Sequence, residues 1–448
     1  MTEMPYLCWA FLYTSTGVNS YTLILFNTFS GAIATIEDVK TKEKVKTILR
    51  EGLLCEPANE LETELINQHF LVHHSTDENR LVDLMRDMEK NRKDHYELIL
   101  YSTEECNFRC VYCFEKFLRG EMPKEIQQAI IKHILRKAPH INSLNIAWFG
   151  GEPLEGVNVI RNINKEVKEI SKKFGFTFNS GITTNGYELD ENLFRELVDL
   201  NIIQYQITLD GPKDTHDTHR ILKDGGPTFD RIINNLKSIQ KTDLEFKVLI
   251  RSNFDKTNKD RMQELIELLS EFLNGDERFQ LYFKPVQNYG GTSAKDLPLY
   301  DPKESFKVMS EVQKRAHCYF PTSTELLSSL DPMGSVCYAG LPNSFAIGAD
   351  GTIYKCTLEL DEPLNQLGKI RGDGTFDIDE DKLTLWITAD AKDDRQCNSC
   401  ILKPTCQGMH CPLIRIKEQR SPCPPLKKGI RTALELVTVY AGIDIKND

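Results

Sequence analysis

The residues with the most chemistry in them are three cysteines, Cys106, Cys110 and Cys113, in the run EECNFRCVYCFE. Three thiolates spaced C-x3-C-x2-C on a short loop can hold three irons of a [4Fe-4S] cube, whereas most iron–sulfur sites take four cysteines per cluster. The fourth iron is then left for another ligand. A zinc knuckle is the competing reading, since many cysteine spacings bind zinc. A second set lies downstream, where eight of the 13 cysteines fall between Cys318 and Cys423. Its pair Cys397-x2-Cys400, taken alone, would also suit a zinc ribbon. Between the two sets comes Gly150-Gly151-Glu152-Pro153. Two glycines let backbone approach a ligand closely, and a carboxylate suits an ammonium group.

The first cysteine spacing, Tyr112 just before its last cysteine, and the GGEP run one strand later together resemble the radical S-adenosylmethionine (SAM) family. The resemblance implies that the open iron takes the methionyl amine and carboxylate of SAM, with Gly150, Gly151 and Glu152 beside the methionyl group and Tyr112 against adenine. It implies that Thr208 reaches the ribose, with Asn185 nearby, and that Arg220 or Arg251 meets the methionyl carboxylate. A reduced cluster then splits SAM into methionine and a 5'-deoxyadenosyl radical that removes hydrogen from an unactivated C–H bond, the cofactor carrying the hard chemistry. Such an enzyme draws electrons from a donor such as flavodoxin or ferredoxin.

The downstream cysteines, with GTIYKC around Cys356, resemble the SPASM extension of the same family. That likeness implies two auxiliary [4Fe-4S] clusters, so three in all. Cys397, Cys400, Cys406 and Cys423 would close one; Cys337, Cys356 and Cys411 would bind the other, with Cys318 as fourth ligand or with the site open to substrate. One departure is the interval from Cys406 to Cys411, four residues where the family usually has three.

These residues need a scaffold. Between Tyr96 and Pro285 six β-rich runs (ELILYS, SLNIAWFG, FTFNSGIT, IIQYQITLD, LEFKVLIRSN and FQLYFKP) alternate with helical periods. That is the pattern of parallel strands with crossover helices. In the first helix, from Pro123 to Lys137, Ile126, Ala129, Ile130, Ile134 and Leu135 are expected on one face. Six units predict a partial (β/α)6 TIM-like barrel open along one side, with function at the C-terminal strand ends, where the cysteine loop falls. Upstream, YTLILFNTFSGAIATI predicts a hairpin, and helices are expected near residues 38 to 52, 58 to 68 and 77 to 92. This order suggests a winged-helix-like module. It resembles the peptide-recognition element of enzymes that modify ribosomally made peptides; an N-terminal extension that merely covers one end of the barrel is the alternative. A bound peptide would add as a strand beside Leu23 to Phe26. The expected division is 1–95 recognition module, 96–298 SAM barrel, and 299–448 cysteine-rich SPASM segment with a C-terminal helix.

Composition narrows the class. A chain of 448 residues predicts two or three domains. A net charge of -11 argues against a nucleic-acid partner, which needs a basic footprint. No run of about 18 apolar residues and no signal peptide appear, so a cytoplasmic protein without a membrane partner is expected. There thiols stay reduced, which favours metal ligation over disulfides; Cys8 and Cys55, standing alone, are expected as small buried residues.

By resemblance, then, the expectation is a radical SAM oxidoreductase that cross-links a ribosomally made precursor peptide, through cysteine-sulfur-to-carbon thioethers. Carbon-to-carbon cross-linking and a sulfatase maturase that makes formylglycine are the enzyme alternatives. An iron–sulfur electron carrier is the non-enzyme alternative, against which the intact GGEP run counts.

Overall fold

The computed structural model describes residues 6–8, 12–16, 22–53, 56–287, 297–321 and 324–440. Cys55 and the side chain of Cys8 lie outside the described residues. The chain forms two compact units: Met1–Asn91 with Thr324–Gly340 and Ile387–Asp448, and Arg92–Ser323 with Leu341–Trp386.

In the first unit, β1 (Tyr6–Cys8) pairs with β5 (Leu71–His73), and β2 (Leu12–Thr16), β3 (Leu23–Asn27) and β4 (Ile33–Ile36) form a three-stranded antiparallel sheet. Helices α1 (Val39–Glu51), α2 (Glu60–Asn67) and α3 (Glu78–Asn91) follow the expected stretches. Side chains start the first two: Asp38 accepts from the Thr41 amide at 2.7 Å and Asn59 from that of Glu62 at 3.2 Å, the usual N-cap arrangement. Leu23, Leu25, Val45, Ile48, Leu65 and Phe70 are buried together as the local core. The hairpin near Leu23–Phe26 cannot take a further strand, because β3 is central and both its edges are paired, to β2 and to β4. Any added strand would have to use an outer edge of β2 or β4.

Helix α3 packs against the C-terminal part of the same unit. Lys403 Nζ lies 3.0 Å from Asp83, Arg86 Nε 3.7 Å from Asp390, and Gln407 Nε2 donates to the Val82 carbonyl at 3.4 Å. Thr28 reaches the Ile401 carbonyl at 2.6 Å.

The second unit is built on a ten-stranded mixed sheet. Six strands are parallel in the order β13-β12-β10-β9-β8-β6: β6 (His95–Tyr101), β8 (Ser143–Phe149), β9 (Thr177–Thr184), β10 (Ile202–Thr208), β12 (Lys247–Phe254) and β13 (Phe279–Pro285). Two short strands, β7 (Phe108–Cys110) and β11 (Arg220–Leu222), pair separately. Helices α4 (Lys124–Lys137), α5 (Val157–Phe174), α6 (Glu191–Asp199), α7 (Lys213–His219), α8 (Phe229–Gln240) and α9 (Met262–Leu273) make the crossovers. In α5, Val159, Ile160, Ile163 and Val167 are fully buried at helical spacing, each contributing about 1.5–3 kcal/mol. In α4 the buried face includes Ile131, whereas Leu135 turns out to solvent, one residue beyond the buried Ile134. The sheet continues past β6 through β14 (Ser344–Ile347), parallel to it, and then antiparallel through β15 (Thr352–Tyr354), β16 (Gln366–Ile370) and β17 (Phe376–Ile378). The register is uninterrupted from His95↔Ser143 to Tyr101↔Phe149, and Thr208 of β10 faces Arg251 of β12. The C-terminal strand ends therefore deliver the motif residues to one rim.

Candidate functional site

The cysteine loop leaves the end of β6 and is tied down by backbone. Short strand β7 pairs antiparallel with β11, placing Cys110 opposite Arg220. The Val111 amide donates to the His219 carbonyl at 3.0 Å and the Lys223 amide to that of Asn107 at 2.7 Å. Phe108 N–H points at Cys106 Sγ, 3.3 Å away. Burial pushes all three thiols up, Cys113 to about 12, and the charge of Cys110 adds to the cost at both Cys106 and Cys113. Three soft donors that repel one another as thiolates in a half-buried loop are a fitting set for iron, whose positive charge removes that repulsion.

The GGEP turn lies against the start of this loop. A Cβ on Gly150, where φ is 125°, would sit 2.4 Å from the Thr103 carbonyl oxygen, and one on Gly151 would sit 2.1 Å from that of Glu105. Within the protein, the close approach that requires glycine is thus to the chain leading into Cys106. Glu152 is 1% exposed. Its carboxylate accepts from Leu154 N at 3.1 Å, Thr184 Oγ1 at 2.6 Å and Asn185 N at 2.7 Å, tying the turn to the end of β9. Burial outweighs these donors and pushes its carboxyl up to about 7. A carboxylate has about four acceptor positions, so one remains for an ammonium. Asn185 also donates to Asn107 Oδ1 at 2.7 Å, beside Cys106.

Sequence reasoning named Tyr112, Arg220 and Arg251 as site residues but passed over Asp210 and Asn253, which join them. The Tyr112 hydroxyl donates to Asp210 Oδ2 and accepts from Arg220 Nη1 at 2.7 Å and Asn253 Nδ2 at 3.2 Å. Asp210, fully buried, also accepts from the Asn253 amide at 2.7 Å, and its carboxylate lies 3.9 Å from Arg220. Arg251 joins through Nε to Asn253 Oδ1 at 2.9 Å. Tyr112, Asp210, Arg220, Arg251 and Asn253 therefore form one network at the rim, with Thr208 level with Arg251. The Arg220 Nε is buried without a partner, an unmet donor of the kind that a bound anion satisfies. The signal for Asp210 was available in TLDG: a carboxylate ending a strand on the functional side of a parallel sheet.

In the other unit Cys397, Cys400, Cys406 and Cys423 line one open cavity, together with Lys403 and Lys427. They surround it rather than meet at a point, since among the described residues no three His, Cys, Asp or Glu side chains are grouped so as to hold a single metal ion. Asp394 caps the short helix Arg395–Asn398, accepting from Cys397 N at 3.1 Å, and pairs with Arg415 at 2.9 Å. Arg415 Nη2 donates to Cys397 Sγ at 3.4 Å and Lys427 Nζ to Cys423 Sγ at 3.5 Å. Burial pushes the Cys406 thiol up to about 11, with repulsion from Cys397, Cys400 and Cys423 adding to it. Four thiols around one space, with cations on two sulfurs, fit an anionic cluster. Cys337 and Cys411 belong to this unit, and the Cys337 amide donates to the Met409 carbonyl at 3.0 Å. Cys356 and Cys318 belong to the barrel unit: Cys356 is buried just after β15, its amide held by Asn365 at 2.8 Å, and Cys318 is exposed.

The parallel sheet with a cysteine loop and a GGEP turn at its rim defines an α/β enzyme of the radical SAM fold. Residues 100–269 match the Radical SAM superfamily. The chain carries a radical SAM domain and is a radical SAM enzyme, with SAM and a [4Fe-4S] cluster as cofactors. It is similar to the cysteine-type anaerobic sulfatase-maturating enzyme of Clostridium novyi (strain NT), 26% identical over 344 residues that span 69% of this chain and 86% of that protein. Among solved structures, native anSMEcpe with bound AdoMet superposes with a TM-score of 0.60 at 19% identity, covering 78% of this chain and 100% of that one. Streptococcus suis SuiB bound to precursor peptide SuiA superposes with a TM-score of 0.52 at 16% identity, covering 90% of this chain and 95% of that one. At these identities the structural likeness carries the fold. No described helix is long and apolar enough to cross a membrane.

Proposed function

We propose that the chain is a cytoplasmic radical SAM maturase that installs sulfur-to-carbon thioether cross-links in a ribosomally made precursor peptide. The observation that carries this reading is the presence on one chain of a half-buried three-cysteine loop at the rim of the parallel sheet and a separate four-cysteine cavity. In it, Cys106, Cys110 and Cys113 hold the SAM-binding cluster. Gly150, Gly151, Glu152, Asn185, Thr208, Arg220, Arg251 and Tyr112 hold SAM. Cys397, Cys400, Cys406 and Cys423 hold one auxiliary cluster, and Cys337, Cys356 and Cys411 the other, with Cys318 as an available fourth ligand. Functionally, residues 1–95 recognise the precursor, 96–298 form the SAM barrel and 299–448 carry the auxiliary cysteines. The similarity to SuiB, solved with its precursor peptide, supports a peptide substrate, and SuiB spans more of this chain than anSMEcpe does.

With SAM and a reduced cluster bound, the pair supplies a 5'-deoxyadenosyl radical for hydrogen removal. The protein's part is placement. Glu152 offers its remaining acceptor position to the methionyl ammonium while its other contacts fix the GGEP turn. Arg220, with its unmet Nε–H, meets the carboxylate, and the Tyr112 hydroxyl, held from three sides, fixes the ring beside the last cysteine. A thioether link removes one hydrogen atom from carbon, one proton from the thiol and one electron from the peptide. Flavodoxin or ferredoxin supplies the reducing electron, and the auxiliary cysteine sets are the chain's own sites for the surplus one.

The test is anaerobic incubation with SAM, reductant and a small cysteine-bearing precursor encoded beside this gene. The product should lose two hydrogens per link, with its cysteines resistant to alkylation; freely alkylated cysteines would rule the thioether out. The similarity to sulfatase-maturating enzymes favours formylglycine formation as a second reading. A product that has lost its cysteine sulfur and gained an aldehyde would establish it.

A further inference from the structure

The four-cysteine cavity has a charge asymmetry that its ligands do not explain. Three cations stand around it. Lys403 lines the cavity but is spoken for: its side chain is 1% exposed and its Nζ lies 3.0 Å from Asp83 and 3.3 Å from Asn79. Arg415 donates to Cys397 Sγ at 3.4 Å, yet its charge is offset by Asp394, 2.9 Å from its other nitrogen. Lys427 differs from both. It sits one turn beyond Cys423, at the start of the helix Leu426–Tyr440, and its Nζ is 3.5 Å from Cys423 Sγ. Among the described residues no carboxylate pairs with it, and Cys400, Cys423 and Cys397 are the ionisable groups that bear on it most.

We propose that Lys427, with Arg415 in a lesser part, is a positioning residue that raises the reduction potential of the iron–sulfur group held by Cys397, Cys400, Cys406 and Cys423. This rests on the reading of that cavity as a cluster site. A cluster with four thiolate ligands is an anion that becomes more negative on reduction. A full positive charge beside one sulfur favours the reduced form more than the oxidised one, and a hydrogen bond to a ligand sulfur acts in the same direction. Lys427 supplies both effects. Arg415, neutralised by Asp394, supplies mainly the hydrogen bond, so its removal has the smaller effect. No reactant beyond the cluster and its ordinary electron donor is required. Raising this potential makes the cavity a better sink for an electron leaving oxidised peptide.

The experiment is an EPR-monitored redox titration of the reconstituted full-length chain, with iron content measured in parallel. Lys427→Gln is expected to lower the midpoint of one auxiliary cluster at unchanged iron, Lys427→Arg to restore it, and Arg415→Lys to shift it less than Lys427→Gln. An unmoved midpoint in Lys427→Gln at full iron content overturns the proposal. Should Lys427→Gln lose iron, Lys427→Met, which keeps the length of the stem and removes only the ammonium, is titrated in its place. An unmoved midpoint in that variant at full iron content then overturns the proposal. A separate outcome speaks to the underlying reading: if Cys397→Ala with Cys400→Ala loses no iron, the cavity holds no cluster, whatever the titrations give.

Discussion

The loop of Cys106, Cys110 and Cys113 and the cavity of Cys397, Cys400, Cys406 and Cys423 present similar donors on unlike supports. Cys110 is fixed by a β-ladder to Arg220, at the rim of a parallel sheet whose strands bury alternate residues. Cys397 and Cys406 sit instead on the four-residue helices Arg395–Asn398 and Lys403–Cys406, positioned by side chains: Asp394 as cap, Arg415 as strut, Lys403 reaching across to α3. Short helices have little stability of their own, because nucleation is costly. The difference teaches that the first site is preorganised by backbone, whereas the second depends on a few ion pairs and on the group it binds.

If that contrast is right, the two sites should fail separately. Replacing Cys106, Cys110 and Cys113 together by alanine should abolish 5'-deoxyadenosine production and remove about four irons while the remaining irons stay bound. Any reductive SAM cleavage by this variant would break the assignment. Next in size is Asp210→Asn. It keeps one acceptor oxygen, so only one of the bonds from the Tyr112 hydroxyl and the Asn253 amide survives, and it leaves buried Arg220 without its counter-charge; it should cost about 3 kcal/mol, read as a lower Tm with weaker SAM binding. Auxiliary iron should be untouched. Asp394→Ala is the mirror experiment: loss of a cap costs about 1 kcal/mol, and releasing Arg415 adds to it. Auxiliary iron should fall while uncoupled SAM cleavage persists; a parallel loss of both would show the two sites to be one cooperative structure.

The last effect concerns pH. In the SAM-free protein burial raises the Glu152 carboxyl from its ordinary 4.5 to about 7, so the folded state holds this proton more tightly than the unfolded chain. The stability it contributes is full below about 4.5 and is lost as pH rises to about 7. Denaturant unfolding across that window should show a decline that Glu152→Gln removes, and saturating SAM should flatten it too if the ammonium takes the remaining acceptor position.

Much of the parallel sheet was legible because its information is local. ELILYS or IIQYQITLD reads as a buried strand from a handful of neighbours, and Asp38 or Asn59 starts a helix through a contact three residues away. The cysteine loop was legible for the same reason. What stayed hidden is what joins distant segments. Tyr112 meets Asp210 and Asn253 only once four crossovers have been made; TLDG marks Asp210 as a strand-end carboxylate, but nothing near either residue names Tyr112 as its partner. Likewise Ser344–Ile347 looks like any short apolar run; its parallel pairing beside β6 is decided by the sheet edge it finds. The edge for peptide addition was misplaced at β3 because a hairpin pattern names two strands and cannot reveal that β2 covers the other side.

Helix α3 has a bearing on how the chain is made. Val82 and Arg86 are buried, and the polar partners of Arg86, Asp83 and Val82 include Asp390, Lys403 and Gln407, residues translated some 300 positions later. Domains emerging from the ribosome ordinarily fold in order, first made first. Here α3 keeps an unfinished face until residues some 300 positions downstream have been made, so a nascent chain stalled before Asp390 should expose α3 to a protease or a chaperone, and extension past Gln407 should hide it.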